Sequence, residues 1–440
     1  MRTPKELAAF LNGPLKDENG GSEEMRVSCL SSFRNGGDTI PRSSSSLGSD
    51  SSFLLSSNPP LFDYQREIVN GLFDWLDSGN KSSLVSLPTG GGKTRTALWF
   101  FRECIEKELV KSLVWIAPSK ELVFQAATTF SDLWHEFPSS AQVRVSIGRV
   151  QKQSGRLPTA SFLTAQRATR HLSELGIAKP ELLIFDEAHQ AVARTFREIL
   201  KTQASTGGLA FGLSATPGRS LAEEGEDLLH LFGNNLIVSR KLGKNPVTFL
   251  REQGVLSEIN MSFLPLPTAW EQTRVKSLES KSMNLEGLAS NNARFWATVS
   301  KLDGLPTKSK TLVFCASIAH CHALRSALTN KRLVSAVVSH KTPDHERDEN
   351  LRAFEAGEIN IIFNKSILAT GYDCPEITDV VLASPIRSPI LWEQIIGRVS
   401  RGPRVGGTEV GYVWELDDHR RMHREIMSYA RYLGDLWNSR

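Results

Sequence analysis

Short apolar runs separated by amphipathic stretches dominate the chain from residue 61 onward. The runs Leu84–Leu87, Leu113–Ala117, Val143–Ile147, Ser161–Leu163, Leu182–Phe185 and Leu209–Leu213 are too short for helices and read as buried strands. A second set follows at Thr311–Cys315, Val334–Val338, Ile359–Phe363, Val380–Ala383 and Val410–Trp414. Helix-like stretches fall between them, such as Thr94 to Leu109. Alternating strand and helix is the signature of a parallel sheet with helices on both faces. The pattern predicts an α/β chain with two such units.

The pattern lapses in three places. Residues 1–57 carry a serine-rich stretch that runs up to Pro59-Pro60, too polar to offset chain entropy, and are expected to form a flexible leader. Residues 241–305 are irregular, interrupted by Pro246, Pro265 and Pro267, and are expected to bridge the units. Residues 417–440 are charged, with Met422, Ile426, Tyr429 and Leu433 at helical spacing, and are expected to form a C-terminal helix packed on the second unit. The units themselves are then 58–240 and 306–416.

Composition narrows the class. The chain has 440 residues, 40% apolar and 23% charged, as a soluble globular protein does. The net charge of +4 announces no global positive field, so any polyanion must be met by a local concentration of Arg and Lys. Five cysteines without a C-x-x-C pair argue against a disulfide framework or a zinc ribbon. His320-Cys321-His322 is a poor chelate, because adjacent helical residues point apart. No apolar run approaches the ~20 residues of a membrane helix. A cytoplasmic protein is the simplest expectation.

Two segments carry the chemistry. Leu87–Thr94 (LPTGGGKT) places a glycine-rich turn between an apolar strand and a helix, so backbone N–H groups can converge on a phosphate at the helix N-terminus. Lys93 can reach the outer phosphates and Thr94 can ligate Mg²⁺. The general phosphate-loop pattern has Gly where this chain has Leu87. Leu182–His189 (LLIFDEAH) is an apolar strand ending in Asp186 and Glu187, one carboxylate to hold a metal and one to orient water.

Further segments stand in a familiar order. They are Leu61–Arg66 (LFDYQR), Ala117–Leu122 (APSKEL), Leu163–Arg167 (LTAQR), Leu213–Pro217 (LSATP), Thr311–Cys315 (TLVFC), Leu368–Pro375 (LATGYDCP) and Gln394–Arg401 (QIIGRVSR). With the two segments above, the chain resembles the superfamily 2 helicases and translocases with a DEAH box. Tyr64-Gln65, Asp186–His189, Leu250–Ser257 (LREQGVLS) and Gly371-Tyr372-Asp373 resemble the type III restriction subunit and RadD-like group.

That resemblance implies two tandem RecA-like domains with ATP and Mg²⁺ between them. It places Thr89, Gly90, Gly91, Gly92, Lys93 and Thr94 around the phosphates, Gln65 on the adenine edge, and Asp186 with Thr94 on the metal. Glu187 would polarise the attacking water. Arg398 and Arg401, three apart and expected on one helix face, would reach the γ-phosphate from the second domain. Gly371, Asp373 and Gln394 would join the nucleotide cleft. His189, Ser214 and Thr216 would couple hydrolysis to strand movement. Ser119, Lys120, Thr164 and Thr370 would contact a nucleic-acid backbone. The implied activity is ATP-dependent helicase or translocase action in repair, restriction or phage defence, on DNA in preference to RNA. Protein partners would supply nuclease or specificity. An RNA helicase and an ATP-gated nucleic-acid sensor or scaffold are the alternatives.

Overall fold

The computed structural model describes residues 25–26, 61–136, 142–151, 157–170, 179–188, 194–215, 228–243, 245–266, 292–369, 372–386 and 389–417. Two parallel sheets account for the two sets of apolar runs. In the first unit the strands are β1 (Met25–Arg26), β2 (Ser82–Ser86), β3 (Ser112–Ala117), β4 (Arg144–Ile147), β5 (Thr159–Thr164), β6 (Leu182–Phe185), β7 (Leu209–Ser214) and β8 (Leu236–Ile237). Their spatial order is β1-β4-β5-β3-β6-β7-β2-β8, parallel throughout except where β1 meets β4. The second unit contributes β9 (Glu258–Leu264), β10 (Thr311–Phe314), β11 (Ser335–Val338), β12 (Ile361–Asn364), β13 (Asp379–Leu382) and β14 (Val410–Leu416). They order as β11-β12-β10-β13-β14-β9, all parallel.

Continuous apolar strands follow from coverage on both faces. Along β3, Leu113, Trp115 and Ala117 enter one core cluster while Val114 and Ile116 enter the other. Along β10, Leu312 and Phe314 face one side and Val313 the other. Successive strand side chains point to opposite faces, so each sheet separates two cores.

In the first unit the helices are α1 (Asp63–Asp77), α2 (Lys93–Glu106), α3 (Lys120–Glu136), α4 (Ala165–Arg170) and α5 (Arg194–Ser205), followed by α6 (Pro246–Glu252). The second unit adds α7 (Asn292–Asp303), α8 (Ile318–Ala327), α9 (Asp344–Glu355) and α10 (Pro389–Ile396). The α1 helix buries Tyr64, Ile68, Val69, Leu72 and Trp75, an apolar stripe at helical spacing. Among the described residues no helix is long and apolar enough to cross a membrane.

The segment expected as a bridge is divided between the units. Val247 and Leu250 of α6, with Val255 and Leu256 after it, fill the first unit's core. Immediately afterwards β9 enters the second sheet beside β14. The α7 helix adds Val299 and Leu302 to the second core. Asn260 and Ser262 interrupt the apolar run of β9, which hides it from a hydropathy pattern. The expected leader lies outside the described residues except for Met25–Arg26, whose short strand pairs with the edge of the first sheet. Of the expected C-terminal helix only Asp417 is described.

Candidate active site

The loops at the carboxyl ends of β2, β3, β5, β6 and β7 share one edge of the first sheet, where open α/β sheets bind ligands. After β2, Leu87 N–H donates to the Ser214 carbonyl at 3.1 Å, so the loop departs from a point fixed by β7. Gly90 and Gly92 then adopt φ of 84° and 85°, a left-handed conformation that favours glycine. A Cβ on Gly92 would stand 2.3 Å from Gln65 Nε2. The α2 helix begins at Lys93, and its first-turn N–H groups lack intrahelical acceptors and face the loop.

Two side chains of α1 hold the loop's orientation. Tyr64 donates its hydroxyl to the Gly91 carbonyl at 3.0 Å, and Gln65 Nε2 donates to the same oxygen at 3.1 Å. With Gly91 oxygen pulled toward α1, the trans peptide turns the Gly92 N–H the opposite way, into the loop. Gln65 Oε1 accepts the Phe62 N–H at 2.9 Å. Thus Gln65, expected on a nucleobase, is buried and clasps the loop and its own helix start.

At the end of β6 the Asp186 side chain is 3% exposed, and its Oδ1 accepts the Glu187 N–H at 3.0 Å. Burial and the Glu187 carboxylate push the Asp186 carboxyl up to about 7, against the pull of the Lys93 ammonium. Glu187 has φ of 50°, rare for a residue with a side chain; such strain persists where surrounding structure enforces it. Ser214 is fully buried at the end of β7. His189 and Thr216 lie outside the described residues.

The second unit closes over the loop. A Cβ on Gly397 would meet Thr89 Cγ2 at 2.5 Å, and one on Gly90 would meet Leu256 at 2.6 Å and Arg401 Nη1 at 2.7 Å. Arg401 Nε donates to Asp373 Oδ1 at 3.1 Å. Arg398 has Nε on the Ala369 carbonyl at 3.2 Å and Nη1 on the Tyr372 carbonyl. The expectation of one helix face is corrected here. The α10 helix ends at Ile396, because Arg398 and Val399 bond back three residues in a tighter turn and Arg401 bridges to Leu256. The two arginines therefore do not share a helix face. Gln394 is buried on α10, while Thr370 and Gly371 lie outside the described residues.

The expected backbone contacts converge in part. Ser119 Oγ accepts the Leu122 N–H at 3.3 Å and caps α3, which starts at Lys120. Thr164 Oγ1 accepts the Arg167 N–H at 3.3 Å. Lys120, Phe124, Gly148, Thr164 and Arg167 line one shallow cleft. Arg167, bonded to the Gly148 carbonyl at 2.8 Å, joins a site that the sequence argument left without it, although it closes the quoted segment Leu163–Arg167. Arg404 was also missed. It stacks on Phe62 across the cleft, its guanidinium 4.7 Å from the ring centre.

Comparison with known proteins matches these two units. The family described as "Type III restriction enzyme, res subunit" matches residues 58–219, and "Helicase conserved C-terminal domain" matches residues 298–402. The Saccharomyces cerevisiae protein IRC3 is 26% identical over 359 residues, 78% of this chain and 49% of that protein. This chain thus spans about half of IRC3's length. The ATP-dependent DNA helicase uvsW of Enterobacteria phage T4 is 25% identical over 363 residues, covering 81% of this chain and 68% of uvsW. In fold, the chain is similar to an HsdR subunit fragment of a type I restriction enzyme from Vibrio vulnificus YJ016, with TM-score 0.60 and 21% identity over 82% of this chain and 65% of that one. With both motor domains present in one chain, the protein belongs to the superfamily 2 helicases, related to the type I and type III restriction subunits and to IRC3.

Proposed function

We propose that the chain is an ATP-driven motor that moves along, or unwinds, nucleic acid, with DNA as its substrate. The carrying observation is the contact of Thr89 and Gly90 with Gly397 and Arg401, which encloses the phosphate loop between two domains. The loop residues fit a nucleoside triphosphate, because left-handed glycines lead into a helix N-terminus whose first residue is Lys93. Thr94 and Asp186 fit Mg²⁺, which when bound neutralises charge on the outer phosphates. Lys93 adds to that neutralisation. Glu187 orients water and takes its proton, and Arg401 meets charge developing on the γ-phosphate. Asp373 holds the arginine, and Arg398 fixes the segment that carries Asp373.

Ser119, Lys120, Thr164 and Arg167 supply a polar, basic strip suited to a phosphodiester backbone, which positions a polymer without reading its sequence. DNA is favoured because uvsW is named a DNA helicase. ATP turnover should rise on adding single-stranded DNA of any sequence and the rise should shrink with salt, as counterion release requires. Side-by-side titrations with matched DNA, duplex and RNA decide the polymer. Stimulation by RNA alone overturns the DNA assignment, and stimulation by none overturns the motor reading in favour of a sensor.

A further inference from the structure

The α3 helix starts beside the polymer-side cleft and meets the second domain farther along. Gln125, five residues and about 7.5 Å of helix from Lys120, donates from Nε2 to Asp373 Oδ2 at 3.4 Å. Asp373 gives its other oxygen, Oδ1, to Arg401 Nε and Nη2, both at 3.1 Å. Each carboxylate oxygen is thus held from a different domain. Arg401 keeps one nitrogen, Nη1, enclosed and without a hydrogen-bond partner among the described residues. That nitrogen is the one beside Gly90.

An arginine side chain has much rotational freedom, and its planar fork acts best when its orientation is set in advance. Asp373 alone can swing with its loop. A second hold from a rigid helix of the opposite domain removes that freedom. A neutral amide suits the task, since it donates a hydrogen bond without competing with Arg401 for charge.

We propose that Gln125 is a positioning residue for ATP hydrolysis: it fixes the Asp373 carboxylate across the domain cleft, and Asp373 thereby aims Arg401 at the phosphate loop. The inference rests on the reading of Arg401 as the group that meets the γ-phosphate. It also gives polymer binding a route to the reaction, because Lys120 and Gln125 ride on one helix.

The test is a double-mutant cycle on steady-state ATP turnover with Gln125→Ala, Gln125→Glu, Arg401→Ala and the Gln125→Ala/Arg401→Ala pair. Gln125→Ala should lower kcat by roughly threefold to tenfold, with KM for ATP within about twofold, as expected for one hydrogen bond to a charged group. Gln125→Glu should cost more, since it sets a carboxylate against Asp373. In the Arg401→Ala background, Gln125→Ala should have no further effect. Losses that multiply in the pair would overturn the inference, as would full turnover in both Gln125 variants alongside a loss in Arg401→Ala. Unchanged turnover in Arg401→Ala is a different result and overturns the reading beneath it as well. Gln125 is partly exposed, so Gln125→Ala should fold as the parent does, and its melting temperature checks this.

Discussion

Glu187 sits in left-handed backbone directly after a buried carboxylate, a strained placement that the surrounding structure holds. We propose that its side chain takes a proton from the attacking water. Glu187→Gln keeps size and polarity but removes that capacity. Turnover should fall by roughly a hundredfold or more, while nucleotide affinity stays within about twofold. Parental turnover in this variant would assign the base elsewhere. Asp186 answers to a second measurement. We propose that Asp186 holds Mg²⁺; burial and the Glu187 carboxylate push its metal-free carboxyl up to about 7, so at lower pH it holds a proton that the metal must displace. The Mg²⁺ concentration that half-saturates nucleotide binding should therefore rise roughly tenfold from pH 8 to pH 6. Asp186→Asn, which carries no such proton, should lose this pH dependence. A flat response in the parent protein would place the metal on other ligands.

At the scale of elements, the sequence was most readable where chemistry restricts residue type locally. Gly90, Gly92 and Lys93 form the predicted turn because few residues tolerate that backbone, and β6 ends in carboxylates where its pattern ends. Other features depend on contacts that no local pattern records. Gln125 is an ordinary helical glutamine until Asp373 arrives from 248 residues away. Arg398 and Arg401 read as one helix face, yet Gly397 and the pull of Leu256 end the helix before them. Gln65 reads as a base contact, and its bonds to the Gly91 carbonyl and the Phe62 N–H add a brace on the loop that the pattern does not record. Val247, Leu250 and Leu256, beyond the expected boundary at 240, join the first core for the same reason, although prolines interrupt their segment. A fragment of residues 58–257 should accordingly melt at a higher temperature than one of residues 58–240, because the shorter one loses several buried aliphatic side chains worth about 1.5–3 kcal/mol each. Equal melting temperatures would show that α6 packs without stabilising.

For the whole molecule, both sheets turn their carboxyl edges toward a shared cleft, and among the described residues several side-chain contacts cross it. Thr89 meets Gly397, Gly90 meets Arg401, Gln125 meets Asp373 and Phe62 meets Arg404. Separation of the domains would remove all four together, which ties turnover to closure. The chain's path has another consequence. The β9 strand pairs with β14 from Glu258 against Val410 to Leu264 against Leu416, so the partner lies 410 − 258 = 152 residues downstream. During synthesis on the ribosome, the first domain's strands and α6 emerge and can close their core while β9 is still without its neighbour. At about 5–20 residues per second, that strand waits roughly eight to thirty seconds with an open edge. The interval is when a nascent chain is most exposed to misassembly, and it makes β9 the place where a chaperone or a slowed codon would have the most to protect.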